Sequence, residues 1–155
     1  MSVKSREATA KEANRQWLSE YENILSIFAT LTFSCPVTKD NALRKGKCFG
    51  LNLNKSIFGN HFQRRDQGLV SCFVVEGKLK LENKIANPHL HYLIENHPKL
   101  TPELVRVIWT KTAGNKAAQN GVKIELIKSY RATMIYITKE IYSWEDGIQM
   151  YIPHT

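Results

Sequence analysis

The chain has 155 residues, a formal net charge of +8 and a sequence pI of about 9.5. Its length predicts a single domain over residues 1–155, no apolar run reaches membrane-spanning length, and the first residues lack the apolar core of a signal peptide. The three cysteines form no CxxC pair, which is typical of reduced thiols. We therefore expect a cytoplasmic protein with no membrane partner. Its basic charge favours a polyanionic partner such as nucleic acid.

Periodicity and turn residues predict helices and strands in the order α-β-α-β-β-α-β-α. Asp40 or Asn41 is expected to cap the second helix, and Thr101 followed by Pro102 is expected to begin the third. The expected elements are a helix at about 5–22, a strand at 25–33, a helix from about 40 to 58, strands at 69–76 and 89–95, a helix from 101 to about 114, a strand at 122–127, a helix at about 130–142 and a short tail at about 143–155.

The pattern of elements predicts the fold class. The short connection after residue 76 favours an antiparallel pair of strands, and helices interleaved with strands predict an α+β sandwich, with an antiparallel sheet packed against helices. The apolar stripes expected to face the core are Phe49, Leu53 and Ile57 in the second helix and Leu104, Val107 and Ile108 in the third.

Two histidines, His89 and His91, lie one residue apart in an apolar run. Successive side chains of a strand point to opposite faces, so both imidazoles share one face while Leu90 and Tyr92 point the other way. One interpretation is a half-buried strand whose histidines form hydrogen bonds. The other is a metal pair, which requires a third ligand.

Three glutamates are candidates for that third ligand. Glu95 lies four residues past His91, ~13 Å along a strand, which is too far for one ion. Glu76 ends the preceding strand and sits beside the histidines if the two strands pair, and Glu82 in the connection is the second candidate. Two imidazoles and one carboxylate leave coordination positions open, which suits catalysis with Mn²⁺ or Mg²⁺.

The last predicted helix carries Tyr136 and Lys139 at positions i and i+3, so the two side chains adjoin each other. They lie on a different face from the apolar stripe of Met134, Ile137 and Ile141. Taken alone, the helix favours an amphipathic element with a packed Tyr136 and a solvated Lys139. With a metal-polarised phosphate nearby, the tyrosine is a candidate nucleophile and the lysine its partner.

Three segments stand in the order of the three motifs of a known family. "IFATLTF" (27–33), "VVE…NPHLHYLI" (74–94) and "YITK" (136–139) resemble the motifs of HUH endonucleases, in the branch of rolling-circle replication initiators. The resemblance covers residues 25–142. It implies a ferredoxin-like or RRM-like core, with about five antiparallel strands flanked by helices, and an enzyme that nicks single-stranded DNA.

The resemblance also implies a role for each site residue. His89 and His91 match the metal-binding histidine pair, Glu76 the acidic metal ligand, Tyr136 the nucleophile and Lys139 the motif lysine. The tyrosine would hold the 5′ end of the nicked strand as a phosphotyrosine and free a 3′ hydroxyl for a polymerase. A second active-site tyrosine would have to be Tyr130 or Tyr142, and neither has the usual spacing on the same face.

Expected partners are single-stranded DNA or an origin hairpin, and a separate protein for any unwinding, since no GxxxxGK[ST] loop is present. The resemblance implies a bacterial, archaeal or viral source, and a nuclease domain excised from a longer protein is one interpretation of the chain. Candidate contacts to DNA phosphates are Arg64, Arg65, Lys45, Lys47, Lys78 and Lys80.

Other functions remain open at this point. A single-strand HUH transposase has a similar length, but such enzymes commonly lack the hairpin carboxylate and have Gln in place of the motif lysine. Relaxases usually carry the tyrosine before the histidine pair. A non-catalytic RRM-like nucleic-acid-binding module would display aromatic side chains on its sheet, and a structural zinc protein would need clustered cysteines.

Overall fold

The computed structural model describes residues 3–79, 84–139 and 147–153. In chain order the elements are α1 (Val3–Ser19), β1 (Leu25–Phe33), β2 (Val37–Thr38), α2 (Lys39–Phe58), β3 (Ser71–Leu79), β4 (Lys84–Glu95), α3 (Pro102–Ala113), a 3₁₀ turn (Gly114–Lys116), β5 (Ala117–Leu126), α4 (Tyr130–Thr138) and β6 (Gln149–Tyr151). None of the helices within these residues is both long and apolar enough to cross a membrane.

The strands form one antiparallel sheet in the order β5-β1-β4-β3-β6, and β2 pairs with β4 outside that path. In the described part of the chain the sheet has six strands and is flanked by four α-helices. The predicted α+β class is confirmed, and the arrangement is consistent with a ferredoxin-like or RRM-like fold.

One face of the sheet is covered by α2 and α3. Strand β1 alternates strictly between buried and half-buried residues, which places Ile27, Ala29 and Leu31 in this core and directs Phe28 and Thr30 to the other face. The predicted stripe of α2, Phe49, Leu53 and Ile57, packs against this face and is buried.

The opposite face carries a second, smaller core beneath α1 and α4. Leu18 of α1 and Ile137 of α4 pack there over Val74 and Leu93 of the two central strands. The hydroxyl of Tyr130 donates a hydrogen bond to the carbonyl of Leu18 and ties the start of α4 to α1. Strands β3 and β4 continue past this core, and the candidate site lies on their continuation.

The structure corrects the predicted start of α2. Thr38, and not Asp40 or Asn41, caps this helix, since its Oγ1 accepts a hydrogen bond from the backbone N–H of Asn41 at 3.2 Å. Thr38 is the last extended residue, whereas Asp40 already lies in the first helical turn. A cap must precede that turn.

The structure also corrects the predicted buried face of α3. The predicted start is confirmed, because Thr101 accepts a hydrogen bond from the Leu104 N–H and Pro102 is the first helical residue. Val107, however, is 61% exposed and Leu104 is only half-buried. The helix buries instead the i, i+3, i+4, i+7 set of Val105, Ile108, Trp109 and Thr112.

The chain's last part contains a strand that the sequence did not indicate. Gln149–Tyr151 pairs with Ser71–Phe73 at the edge of the sheet, inside the segment predicted as a tail. The predicted end of α4 at about residue 142, with Ile141 and Tyr142, lies outside the described residues, and the described helix ends at Thr138.

Candidate active site

The register of the sheet brings the candidate metal ligands together. Glu76 of β3 lies directly opposite His89 of β4, and Thr32 of β1 lies on the other side of His89. One step along the same face, His91 lies opposite Thr30. The predicted pairing of the two strands is therefore confirmed, and the shared face follows from the two-residue period of a strand.

Glu76, His89 and His91 form a cluster that could hold a metal ion. One ligand atom from each residue lies within 4.8 Å of the other two. Nε2 of His91 contacts Oε2 of Glu76, and Nε2 of His89 lies 3.4 Å from Oε1 of the same carboxylate. Both imidazoles thus present the same nitrogen to one carboxylate, and the ligand set is two nitrogens and one oxygen.

Neighbouring oxygens orient the two imidazoles. Nδ1 of His89 lies 2.8 Å from the carbonyl oxygen of Asn87, and Nδ1 of His91 lies 3.2 Å from Oγ1 of Thr30. In the tautomer that donates from Nδ1 to these oxygens, the lone pair of each Nε2 remains available for a metal ion. Thr30 belongs to "IFATLTF", the first of the three motifs, so a residue of the first motif orients a histidine of the second.

Glu95, another candidate carboxylate, does not join the cluster. Oε1 of Glu95 accepts a hydrogen bond of 3.0 Å from the backbone N–H of Val70 and is used within the sheet. Glu82 lies outside the described residues. Within the part of the chain that the structure describes, Glu76 is therefore the carboxylate of the site.

The protonation states suit metal binding. Burial lowers the pKa of His91 to about 4, and this outweighs the attraction of Glu76, so the imidazole is neutral at pH 7. Desolvation alone would raise the pKa of Glu76, but the hydrogen bond from Lys139 and the adjacent histidines hold it below its usual value. A neutral imidazole and an ionised carboxylate are the forms that bind metal ions.

Tyr136 lies beside this cluster and is accessible. Its ring centroid is 5.2 Å from that of His91, and the residue is 44% exposed. Phe28 of β1 stacks on His91 at 5.3 Å and meets Tyr136 edge-on at 6.3 Å. Phe28 thus packs against both residues and helps to fix their relative positions, a role that the sequence did not indicate.

Lys139 connects the carboxylate to the tyrosine. Its Nζ lies 3.0 Å from Oε1 of Glu76 and 3.9 Å from the centroid of the Tyr136 ring. Desolvation acts to lower the pKa of Lys139, but the hydrogen bond to Glu76 and its charge raise it above the usual value, so the ammonium stays protonated. The predicted contact between the side chains at i and i+3 is confirmed.

An open cleft of about 540 Å³ lies between this cluster, α4 and β5. Lys123 and Glu125 of β5 form its far wall, and Ala132 and Thr133 of α4 lie near Tyr136. Lys123 is opposite Thr30 in the sheet, so a cationic side chain lies in the same row as His91. The sequence did not indicate Lys123, because only the pairing of β5 with β1 brings it to the site.

The predicted phosphate contacts do not line this cleft. Lys45 and Lys47 lie on α2, which packs on the other face of the sheet, and Nζ of Lys45 donates to the carbonyl of Thr112 at 3.1 Å. Arg64 and Arg65 are exposed in the turns between α2 and β3, away from the cleft lining. The Lys78 side chain and Lys80 lie outside the described residues.

Tyr130 is almost fully buried, whereas Tyr136 is exposed. Its hydroxyl donates to the Leu18 carbonyl, and burial raises the pKa of Tyr130 well above its usual value. A buried phenol that is harder to ionise is a poor nucleophile. Tyr142, the other alternative, lies outside the described residues.

Comparisons with protein-family models, with curated proteins and with solved structures found no match. The chemistry of the cluster, the tyrosine and the cleft is therefore the guide to function. The arrangement provides a potential divalent-ion site, an exposed hydroxyl beside it and a cation next to that hydroxyl. These are the groups needed to transfer a phosphoryl group to a tyrosine.

Proposed function

We propose that the protein nicks and rejoins single-stranded DNA through a 5′-phosphotyrosine intermediate on Tyr136. The observation that carries the proposal is the exposed Tyr136 ring 5.2 Å from the ring of His91, which belongs to a cluster of two histidines and one carboxylate. The resemblance of the three motifs to those of HUH replication initiators supports the same activity.

The cluster fits a divalent ion with open coordination positions, and Mn²⁺ and Mg²⁺ are the ions proposed here. When bound, such an ion supplies a Lewis acid that polarises the phosphoryl oxygen and stabilises the charge of the transition state. Glu76, His89 and His91 hold it, and the hydrogen bonds at the two Nδ1 atoms keep the imidazoles in the ligating orientation.

Tyr136 is the proposed nucleophile. A bond forms between its phenolic oxygen and the scissile phosphorus, and the bond to the 3′ oxygen breaks. The phenolic proton passes to solvent, and the departing 3′ oxygen takes a proton from solvent and becomes a hydroxyl. The phosphodiester is exchanged for a phosphotyrosine ester, so attack by a 3′ hydroxyl can reverse the step. The ammonium of Lys139 next to the ring favours the developing phenolate charge.

The proposed biological role is initiation of rolling-circle replication of a plasmid, phage or other mobile element. The order of the motifs supports this role, and so does the ion pair between Lys139 and Glu76, the two residues in which the single-strand transposases commonly differ. The proposed partners are single-stranded DNA or an origin hairpin, with unwinding supplied by another protein.

A non-catalytic RRM-like module fits the sheet less well. Such a module stacks bases on exposed aromatic rings, whereas the equivalent face here carries two histidines and a glutamate, and Phe28 is half-buried against His91.

A nicking assay separates the two functions: labelled single-stranded oligonucleotides with Mn²⁺ should give a covalent protein–DNA band. Tyr136→Phe should abolish the band and Tyr21→Phe, far along the chain on the α1 side, should retain it. A protein that binds DNA but yields no band with any strand tested would be a binding module.

A further inference from the structure

A second cavity lies on the face of the sheet opposite the cleft beside Tyr136. Its volume is about 280 Å³, and it is bounded by α2, by β3 and β4, and by the edge strand β6. Phe73, Tyr92 and Tyr151 supply aromatic walls, and Leu51 of α2, 37% exposed, lies at its margin. Phe73 and Tyr92 alternate along their strands with Val74 and His91, so this cavity and the metal cluster lie on different faces.

Two polar side chains in this cavity have unused hydrogen-bonding capacity. Ser71 is only 7% exposed, and among the described residues its hydroxyl has no hydrogen-bond partner. The half-buried amide of Gln149 has none within the same residues either. By contrast, the Asn54 amide is satisfied, because it accepts from the Leu69 N–H at 2.8 Å and donates to the Gly50 carbonyl at 2.9 Å. No side-chain polar atom of the described residues is both buried and unpaired, so the Ser71 and Gln149 groups are open to the cavity and offer a donor and acceptor edge to a ligand.

A cation lies at the same cavity. Lys47 is exposed on α2, lines the cavity, and makes no ion pair or hydrogen bond with any part of the chain that the structure describes. Its ammonium is therefore available to an anionic group at the opening. The cavity combines aromatic walls, an inner polar edge and an outer positive charge.

We propose that this cavity binds the base of a nucleotide, with Ser71 and Gln149 on the polar edge of the base and Lys47 on its phosphate. An aliphatic ligand would leave the Ser71 hydroxyl buried without a partner, which costs free energy, whereas a base provides donors, acceptors and a planar apolar face. A volume of about 280 Å³ accommodates one such ring system. The ligand is a free nucleotide or an unpaired base of a DNA strand, and the proposal is independent of nicking at Tyr136.

NMR with ¹⁵N-methionine labelling tests the proposal on the intact protein. Residue Met150 of β6 lines this cavity, although its side chain packs with Met134 in the core on the other face, so the backbone amide signal of Met150 is the reporter and that of Met134 is the internal reference. Titration with each 5′-deoxynucleoside monophosphate should produce a saturable shift of the Met150 signal for at least one base. Ser71→Ala should weaken this binding about fivefold, as expected for one lost hydrogen bond. Leu51→Trp, at an exposed margin, should block the cavity.

Charge and ligand source are tested with matched controls. The monophosphate should bind more tightly than its nucleoside, Lys47→Gln should remove this difference, and Lys55→Gln, which removes an exposed lysine of α2 outside the cavity, should preserve it. A single-stranded oligonucleotide that shifts Met150, and loses this effect when one base is replaced by an abasic site, identifies a strand as the source. Binding of mononucleotides alone identifies a free nucleotide. Absence of any Met150 shift at millimolar nucleotide, or a shift that survives Leu51→Trp, overturns the proposal.

Discussion

The ammonium of Lys139 lies between the metal-ligand cluster and the tyrosine. It is 3.0 Å from Oε1 of Glu76 and 3.9 Å from the centroid of the Tyr136 ring. Its charge stabilises the ionised carboxylate, but the same charge repels a divalent ion bound to that carboxylate. Lys139 is therefore expected to weaken the binding of a metal ion and to speed the cleavage of DNA.

Lys139→Met should raise the affinity for Mn²⁺ and slow cleavage of DNA. Removing the ammonium relieves its repulsion of the divalent ion, and we expect the Kd for Mn²⁺ to fall about tenfold, or ~1.4 kcal/mol. Isothermal titration calorimetry measures this affinity without reference to activity. Lys128→Met, an exposed lysine before α4, should change neither property. Weaker Mn²⁺ binding by Lys139→Met would mean that the lysine mainly orients the carboxylate.

Loss of any one ligand should weaken metal binding. His91→Ala and Glu76→Gln should each raise the Kd for Mn²⁺ by more than about tenfold, since both remove a donor from a set of three. Two matched controls, His61→Ala and Glu103→Gln, remove the same groups from exposed positions and should leave the affinity unchanged. Unaltered Mn²⁺ affinity in Glu76→Gln would show that another carboxylate completes the site.

At the scale of elements, Gly46 sets the distance between α2 and the sheet. A β-carbon at this position would lie 2.4 Å from Cε2 of Phe73, closer than atoms can approach. The hydroxyl of Tyr92 also donates a hydrogen bond to the Gly46 carbonyl. Glycine is costly within a helix, and here that cost permits close packing of α2 on β3 and β4, the strands that carry the candidate metal ligands.

Gly46→Ala should lower the free energy of unfolding by about 1–3 kcal/mol, the usual cost of overpacking a core, although alanine favours the helix. Gly50→Ala is the matched control, because its β-carbon would lie 3.3 Å from the Tyr92 hydroxyl and requires a smaller adjustment. Urea unfolding of both variants measures the difference. An equal effect of the two substitutions would refute the proposed steric role of Gly46.

At the scale of the whole molecule, the sequence predicted those parts of the site that depend on local periods. The two-residue period of a strand placed His89 and His91 on one face, and a short antiparallel connection placed Glu76 beside them. The helical period placed Tyr136 next to Lys139. These relations are local in the chain or cross a single hairpin, so pattern alone specifies them.

The remaining features depend on pairing between distant segments. Phe28 stacks on His91 because β1 pairs with β4, and Lys123 reaches the cleft because β5 pairs with β1. A three-residue strand such as Gln149–Tyr151 is too short to show an alternating pattern. Lys45 and Lys47, proposed as phosphate contacts from charge alone, lie away from this cleft for the same reason, since they belong to α2 on the other face of the sheet.

The net charge of +8 predicts binding of DNA that weakens steeply with salt, because each neutralised phosphate releases counterions. Lys123→Gln, in the cleft, should reduce the slope of log K against log[salt] by about 0.7, the contribution of one contact to a single strand. Lys99→Gln, an exposed lysine outside the cleft lining, should leave the slope unchanged. A fluorescence-anisotropy salt titration measures both. An unchanged slope in Lys123→Gln would place the DNA strand elsewhere.

The identity of the residue linked to DNA tests the proposed function most directly. Trypsin cleaves after Lys128, Arg131 and Lys139, so the peptide 132–139 contains Tyr136 as its sole tyrosine, whereas Tyr130 and Tyr142 fall in the peptides on either side. After reaction with a single-stranded oligonucleotide and Mn²⁺, nuclease trimming and mass spectrometry should find the nucleotide adduct on peptide 132–139, and Tyr136→Phe should yield none. An adduct on a flanking peptide, or one that persists in Tyr136→Phe, would contradict the account.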